Sequence, residues 1–166
     1  MTTANEVLEQ MKEKGAKYLD FRFTDVKGKW QHLTMDGTIV DEDLLNDGVF
    51  FDGSSIAGWK AINESDMVLK PDLSTIVMDP FTAQPTMLVF CDILDAVTKE
   101  PYERDPRGTA KKAEEYVKSS GIGDTVYIGP EPEFFVFDDV KYAVEMNKSM
   151  FSIDSSEGPY NTDRNY

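Results

Sequence analysis

The chain has 166 residues, 40% of them hydrophobic and 11% aromatic. That suffices for one ordinary domain, or a small domain and the start of another, and excludes global disorder. With 17 basic against 31 acidic residues and a net charge of -14, it lacks the cationic face that nucleic acid or an anionic membrane would need, so neither is an expected partner.

Thr3-Ala4-Asn5-Glu6 has capping-box spacing, Ala4, Leu8 and Met11 recur on one face, and Gly15 is a natural stop. These features predict a short amphipathic helix over 3–14. Tyr18 to Asp25 alternates apolar and polar residues, Lys27-Gly28-Lys29 is turn-like, and Trp30 to Met35 alternates again. The pattern predicts a hairpin. Trp30, His32 and Thr34 share one side of its second strand, where His32, the sole histidine, reads as structural. Asp41 to Asn46 predicts a helical turn or two, ended by Asp47-Gly48.

Residues 52–66 read as an irregular loop. Met67 to Leu69, Thr75 to Met78 and Thr86 to Ile93 read as strands separated by Pro71, Pro80 and Pro85. Cys91, the only cysteine, sits in an apolar run; it excludes an internal disulfide and reads as a buried, inert thiol. Many short strands around few helices predict an α+β domain over about residues 1–100. Lys99 to Pro106 reads as a linker.

Asp105-Pro106 suits a helix start, Ala110, Ala113 and Val117 keep helical spacing, and Gly121 closes the helix. Asp124 to Asp138 reads as a long strand, residues 140–153 as one or two more, and residues 154–166 as polar turns. Met1 to Gln10 contains no apolar signal core, and no apolar run approaches the ~18 residues of a membrane span. A cytoplasmic location is the expectation.

Two motifs carry chemistry. In Gly129-Pro130-Glu131-Pro132-Glu133 the predicted strand puts Glu131 and Glu133 on one face. Tyr127, Phe134 and Val136 suggest a partly buried sheet there. Neighbouring carboxylates repel in low dielectric, and a divalent cation relieves the repulsion. A solvated acidic edge is the plainer alternative. A glycosidase pair, which flanks a bond from opposite sides, fits poorly. In Phe51-Asp52-Gly53-Ser54-Ser55-Ile56-Ala57-Gly58-Trp59 a carboxylate sits among glycines, hydroxyls and aromatics. It suits holding an ammonium-like cation or taking its proton. An Asx-turn closed by Asp52 and a serine is again the plainer alternative.

In order, these motifs resemble the type I glutamine synthetase family of bacteria. Phe51 to Ser55, continuing to Asn63-Glu64-Ser65-Asp66-Met67-Val68-Leu69, is similar to its amino-terminal signature. Gly129 to Phe135 is similar to its first metal-ligand strand, and the likeness runs on to Asn161-Thr162-Asp163-Arg164-Asn165-Tyr166. The resemblance implies a β-grasp domain over residues 1–100 and the start of the catalytic domain over 105–166. It implies glutamine formation from glutamate, ammonia and ATP through γ-glutamyl phosphate, with Mg2+ or Mn2+. Glu133 would ligate the metal that organises glutamate, and Glu131 the metal at the ATP phosphates. Asp52 would hold ammonium and accept its proton, with Ser55 nearby.

The family assembles into a ring in which the Asp-bearing loop serves a neighbouring subunit's cavity, which would account for the apolar surroundings of Trp59. The family's remaining metal ligands, including a histidine, and its phosphate-gripping arginines have no counterpart in this chain. The expectation is therefore a truncated ligase, inactive alone, whose residues 101–166 are loose or self-associating. A γ-glutamyl-amine ligase is the nearest enzymatic alternative. A non-catalytic β-grasp interaction module is the alternative of another class.

Overall fold

A computed structural model describes residues 2–62 and 65–161. They fall into two compact units that divide between Val126 and Tyr127.

The first unit opens with helix α1 (Ala4–Glu13), capped by Thr3 in a complete capping box. The Thr3 amide donates to Glu6 Oε2 at 2.7 Å, and the Glu6 amide donates back to Thr3 Oγ1 at 3.3 Å. Ala4, Val7 and Met11 are buried. Strands β1 (Tyr18–Thr24) and β2 (Trp30–Asp36) form the expected antiparallel hairpin, Tyr18 opposite Asp36 and Thr24 opposite Trp30. The alternation of β2 is borne out, with Trp30, His32 and Thr34 on its exposed side. Helix α2 (Glu42–Asp47) is capped by Asp41 and stopped by Gly48 at φ +90°. A Cβ on Gly48 would meet the Leu69 carbonyl oxygen at 2.5 Å, so glycine is required there on two counts.

Strand β3 (Val49–Asp52) was not expected as a separate element. The apolar run Val49-Phe50-Phe51 pairs antiparallel with β4 (Asp66–Pro71). Of the segment expected to be a strand from Thr75, only β5 (Val77–Met78) is one. Asp72 instead caps a 3-10 turn over Leu73–Thr75. The long β6 (Thr86–Asp95) organises the sheet, whose order is β2-β1-β6-β4-β3, with β5 also on β6. The first half of β6 runs parallel to β1 and its second half antiparallel to β4. Leu19, Phe21, Met67, Leu69, Met87, Val89 and Ile93 are fully buried with Val7 and Leu45 of the helices. Burial of this kind contributes about 1.5–3 kcal/mol per large apolar side chain. Cys91 belongs to this core, and burial pushes its thiol well above the ordinary range.

The stretch from 101 to 111 is tied to this unit rather than loose. The Tyr102 amide donates to the Ile93 carbonyl at 2.8 Å. Asp105, itself buried, accepts from the Ile93 amide at 3.2 Å and the Arg107 amide at 3.0 Å. It caps helix α3 (Pro106–Ser120), which Gly121 ends in the left-handed conformation at φ +71°. Arg107 pairs with Asp92 and Asp72, and Lys111 with Asp92.

In the second unit, β7 (Asp139–Glu145) and β8 (Lys148–Asp154) form a hairpin, with Asp139 opposite Asp154. The long strand expected over Asp124 to Asp138 is absent: no residue from Thr125 to Phe137 joins a ladder. A strand exists only where a neighbour accepts its bonds. Pro130 and Pro132 have no amide to offer, and β7 and β8 pair with each other. The partly buried sheet expected around Tyr127, Phe134 and Val136 is also absent; they are 93%, 80% and 72% exposed.

Candidate functional site

Asp52 ends β3 opposite Asp66 of β4. There the chain enters a 3-10 turn over Gly53–Ser55, and Gly53 is buried. Its amide donates to the Ser65 carbonyl at 2.7 Å. A Cβ at Gly53 would lie 2.3 Å from Met67 Sδ and 3.0 Å from the Ser65 carbonyl oxygen, so a side chain there would force the buried Met67 to shift. Beyond the turn, Ile56 and Trp59 are buried. Phe23, Phe51 and Tyr102 surround the Trp59 indole with ring centroids 5.5, 6.1 and 5.7 Å away. The Tyr102 hydroxyl donates to the Trp59 carbonyl at 2.9 Å, and Arg104 donates to the Gly58 carbonyl at 2.8 Å. Trp59, 5% exposed, is thus apolar because it belongs to the core of its own unit. That corrects the expectation that a neighbouring subunit accounts for its surroundings.

This packing leaves the Asp52 carboxylate at the surface. Its Oδ1 accepts from the Ser54 hydroxyl at 2.6 Å and the Ser54 amide at 2.8 Å. The Ser54 hydroxyl, then the Ser54 amide, hold the carboxyl below the ordinary carboxylate value; the Ser65 hydroxyl adds to this. The Asx-turn alternative is therefore realised, and it coexists with an outward-facing anion. Ser55, the serine expected beside Asp52, is exposed on the same turn. Ser54 is the serine whose hydroxyl and amide both bond Asp52, and a motif of adjacent serines carries no signal to rank it above Ser55. Asn63 and Glu64 of the signature, and Thr162 to Tyr166, lie outside the described residues.

Glu131 and Glu133 are exposed on the unladdered segment of the second unit. Neither forms an ion pair among the described residues. Nearby, Phe135 and Phe137 stack with centroids 6.2 Å apart. Carboxylate oxygen is the donor that hard divalent ions take, so the pair fits magnesium or manganese in kind. Among the described residues no group of three or more His, Cys, Asp or Glu is placed to hold an ion. The two glutamates thus offer part of a coordination shell.

His32 is structural, as expected: its Nδ1 lies 2.8 Å from Asp20 Oδ1, beside the Thr34 hydroxyl at 2.6 Å and opposite Arg22 on Oδ2 at 2.8 Å.

Comparison with known proteins shows the family. Residues 15–96 match the glutamine synthetase β-grasp domain and residues 103–166 match the glutamine synthetase catalytic domain. The chain belongs to the glutamine synthetase family.

A glutamine synthetase of Rhizobium meliloti is 68% identical across all of this chain, which covers 35% of that protein. One from Bradyrhizobium diazoefficiens is 58% identical over the same span, again 35% of its length. The chain therefore spans about a third of the curated glutamine synthetases it matches. The fold is similar to a Plasmodium falciparum glutamine synthetase at TM-score 0.74 and 28% identity, over 92% of this chain and 30% of that one. An ADP complex of GmaS shares the fold at TM-score 0.60 and 18% identity, over 68% of this chain and 25% of that one. The α+β, β-grasp expectation for the glutamine synthetase amino-terminal region is thus borne out. Among the described residues no helix is long and apolar enough to cross a membrane.

Proposed function

We propose that this chain supplies the amino-terminal third of a glutamine synthetase, an ATP-dependent ligase that joins ammonia to glutamate through γ-glutamyl phosphate. The observation that carries the reading is 68% identity to such an enzyme across the whole chain, both motifs included. Residues 1–100 form the β-grasp domain, and residues 105–166 open the catalytic domain. The working enzyme is a cytoplasmic homo-oligomeric ring in which the Asp52 loop serves a neighbouring subunit.

Each residue's role is the one the family resemblance implies, and its chemistry agrees with it. Asp52 holds ammonium, and its low proton affinity suits it to a cation-binding anion. Ammonium has no lone pair, so Asp52 takes one of its protons first; the ammonia so formed attacks the acyl carbon of γ-glutamyl phosphate, and phosphate leaves with the electrons of the broken C–O bond. Ser55 stands on the same turn toward the same substrate. Glu133 would hold the divalent ion at glutamate, and Glu131 the ion at the ATP phosphates. Magnesium or manganese bound there offsets the negative charge of the phosphoryl oxygens during transfer. The chain's two carboxylates leave the rest of that coordination shell to other ligands, so the chain alone does not turn over.

The test is a chimera in which this chain replaces the matching third of the Rhizobium meliloti enzyme. It should release phosphate from ATP only with glutamate, ammonium and a divalent ion, and Asp52→Ala, Glu131→Gln and Glu133→Gln should each cost at least about a hundredfold in rate. Full activity in the two glutamate variants would remove the metal assignment. Turnover by the chain alone would remove the incomplete-site reading.

A further inference from the structure

Three aspartates of the first unit divide their carboxylates the same way, and a fourth shares the first half of the pattern. Asp72 Oδ1 takes the Ser74 hydroxyl at 2.6 Å and the Ser74 amide at 3.2 Å, while Oδ2 meets Arg107. Asp79 Oδ1 takes the Phe81 amide at 2.9 Å, while Oδ2 meets Arg22 at 2.5 Å. Asp95 Oδ1 takes the Val97 and Thr98 amides at 2.9 and 3.0 Å, while Oδ2 meets Lys60 at 3.2 Å. In each, a turn two or three residues on fixes one oxygen, and the other is presented to a cation. Asp52 is the fourth. Its Oδ1 is fixed by Ser54, yet among the described residues no cationic side chain pairs with it. The charged residue opposite it on β4 is Asp66. Lys60 is engaged by Asp95, and Lys99 lies 4.4 Å over the Phe50 ring.

We propose that Ser54 is the positioning residue of the ammonium site: it locks Oδ1 of Asp52 so that Oδ2 alone is offered to the substrate cation. This rests on the reading of Asp52 as the ammonium-holding residue. A free carboxylate rotates and presents either oxygen. One whose Oδ1 already accepts two donors is held in a single rotamer, with one oxygen left for a charge-assisted bond. Ser54 does this from both its amide and its hydroxyl, and the amide is held in place by the turn that Gly53 packs against Met67. The hydroxyl is therefore the part of the lock that substitution can remove without unmaking the turn. Asp36, with Oδ1 fixed by Thr38 at 2.9 and 2.6 Å, has the same local geometry elsewhere and serves as an internal reference.

Carboxyl-detected NMR on this chain tests the lock independently of any ligase activity. In the wild type, three-bond couplings should report one Asp52 χ1 rotamer, and Asp52 should titrate below the ordinary range beside Asp36. Ser54→Ala should average the rotamer and raise the Asp52 midpoint by about one pH unit, a tenfold change in proton affinity, with Asp36 unmoved. Ser54→Thr should restore both. Rotamer averaging in the wild type, or an unmoved midpoint in Ser54→Ala, would overturn the proposal. In the chimera, Ser54→Ala should raise KM for ammonium about tenfold and leave KM for glutamate and ATP unchanged. An unchanged ammonium KM would overturn the positioning role while leaving the ligase reading intact. A chimera that is inactive although Asp52 is locked would fail the ligase reading instead.

Discussion

The Asp52 loop and the Glu131-Pro132-Glu133 segment both expose carboxylates, but they are held in place by different means. Around Asp52 the loop is fastened at several points. Gly53 is seated against Met67, Trp59 lies in an aromatic cluster, and Tyr102 and Arg104 fasten the far side of the loop. Around Glu131 and Glu133 no ladder forms, and Phe134, Phe135 and Val136 are exposed. A buried network fixes the first carboxylate before any substrate arrives. The second region has the right donor atoms but does not itself fix their positions. An isolated two-stranded hairpin such as β7–β8 is marginal in water, so order in the second unit depends on further contacts.

The largest expected effect separates the two units. Phe21→Ala, at a fully buried position, should cost about 3–5 kcal/mol in denaturant unfolding. Phe134→Ala, at an exposed one, should stay within about 0.5 kcal/mol. Similar losses in both would erase the distinction. Next is Gly53→Ala, which should cost about 1–3 kcal/mol through the clash with Met67. Neutral behaviour would mean that the Asp52 turn is not pinned by β4.

A smaller effect lies in the acid range. Against the opposing effect of burial, hydrogen-bond donors hold Asp20 and Asp72 below the ordinary value of 3.8. The Phe81 amide does so for Asp79, and the Thr98 and Val97 amides bring Asp95 to about 2. Their contribution to stability is complete above 3.8 and is lost as pH falls through the folded values. Asp105 runs the other way. Burial, outweighing the Ile93, Arg107 and Gly108 amides, raises its carboxyl. The folded chain then holds a proton that the unfolded chain has released, so stability declines as pH climbs from 3.8 to the raised value. Asp105→Asn should remove that decline and leave the acid loss. Monitoring unfolding free energy from pH 2 to 7 tests the sign; an unchanged profile would contradict it.

Much of the first unit was legible because its signals are local. Thr3 with Glu6, Asp105 with Pro106, Gly48, Gly121 and the alternation of β1 and β2 each specify a cap, a stop or a face within a few residues. Strand β3 was not, because Val49-Phe50-Phe51 is too short to show a period, and its existence depends on β4. The same limit misled the reading of Asp124 to Asp138, where apolar runs imply a strand but cannot say whether a neighbour is present. At the candidate site, Asp52 and the need for glycine were legible. The choice of Ser54 over Ser55 as its partner was not, since it turns on which hydroxyl the 3-10 turn aims back at Asp52. The burial of Trp59 was equally hidden, as it is made by Phe23 and Tyr102 from distant parts of the chain.

Manganese broadening of the Glu131 and Glu133 side-chain carboxyl signals in this chain tests the metal assignment most directly. Substoichiometric Mn2+ should broaden those two before the exposed acidic run Asp41-Glu42-Asp43, excess Mg2+ should reverse it, and Glu131→Gln with Glu133→Gln should abolish it. Equal broadening across all exposed carboxylates, unaffected by the double substitution, would contradict the claim that this pair is the metal-binding face of a glutamine synthetase.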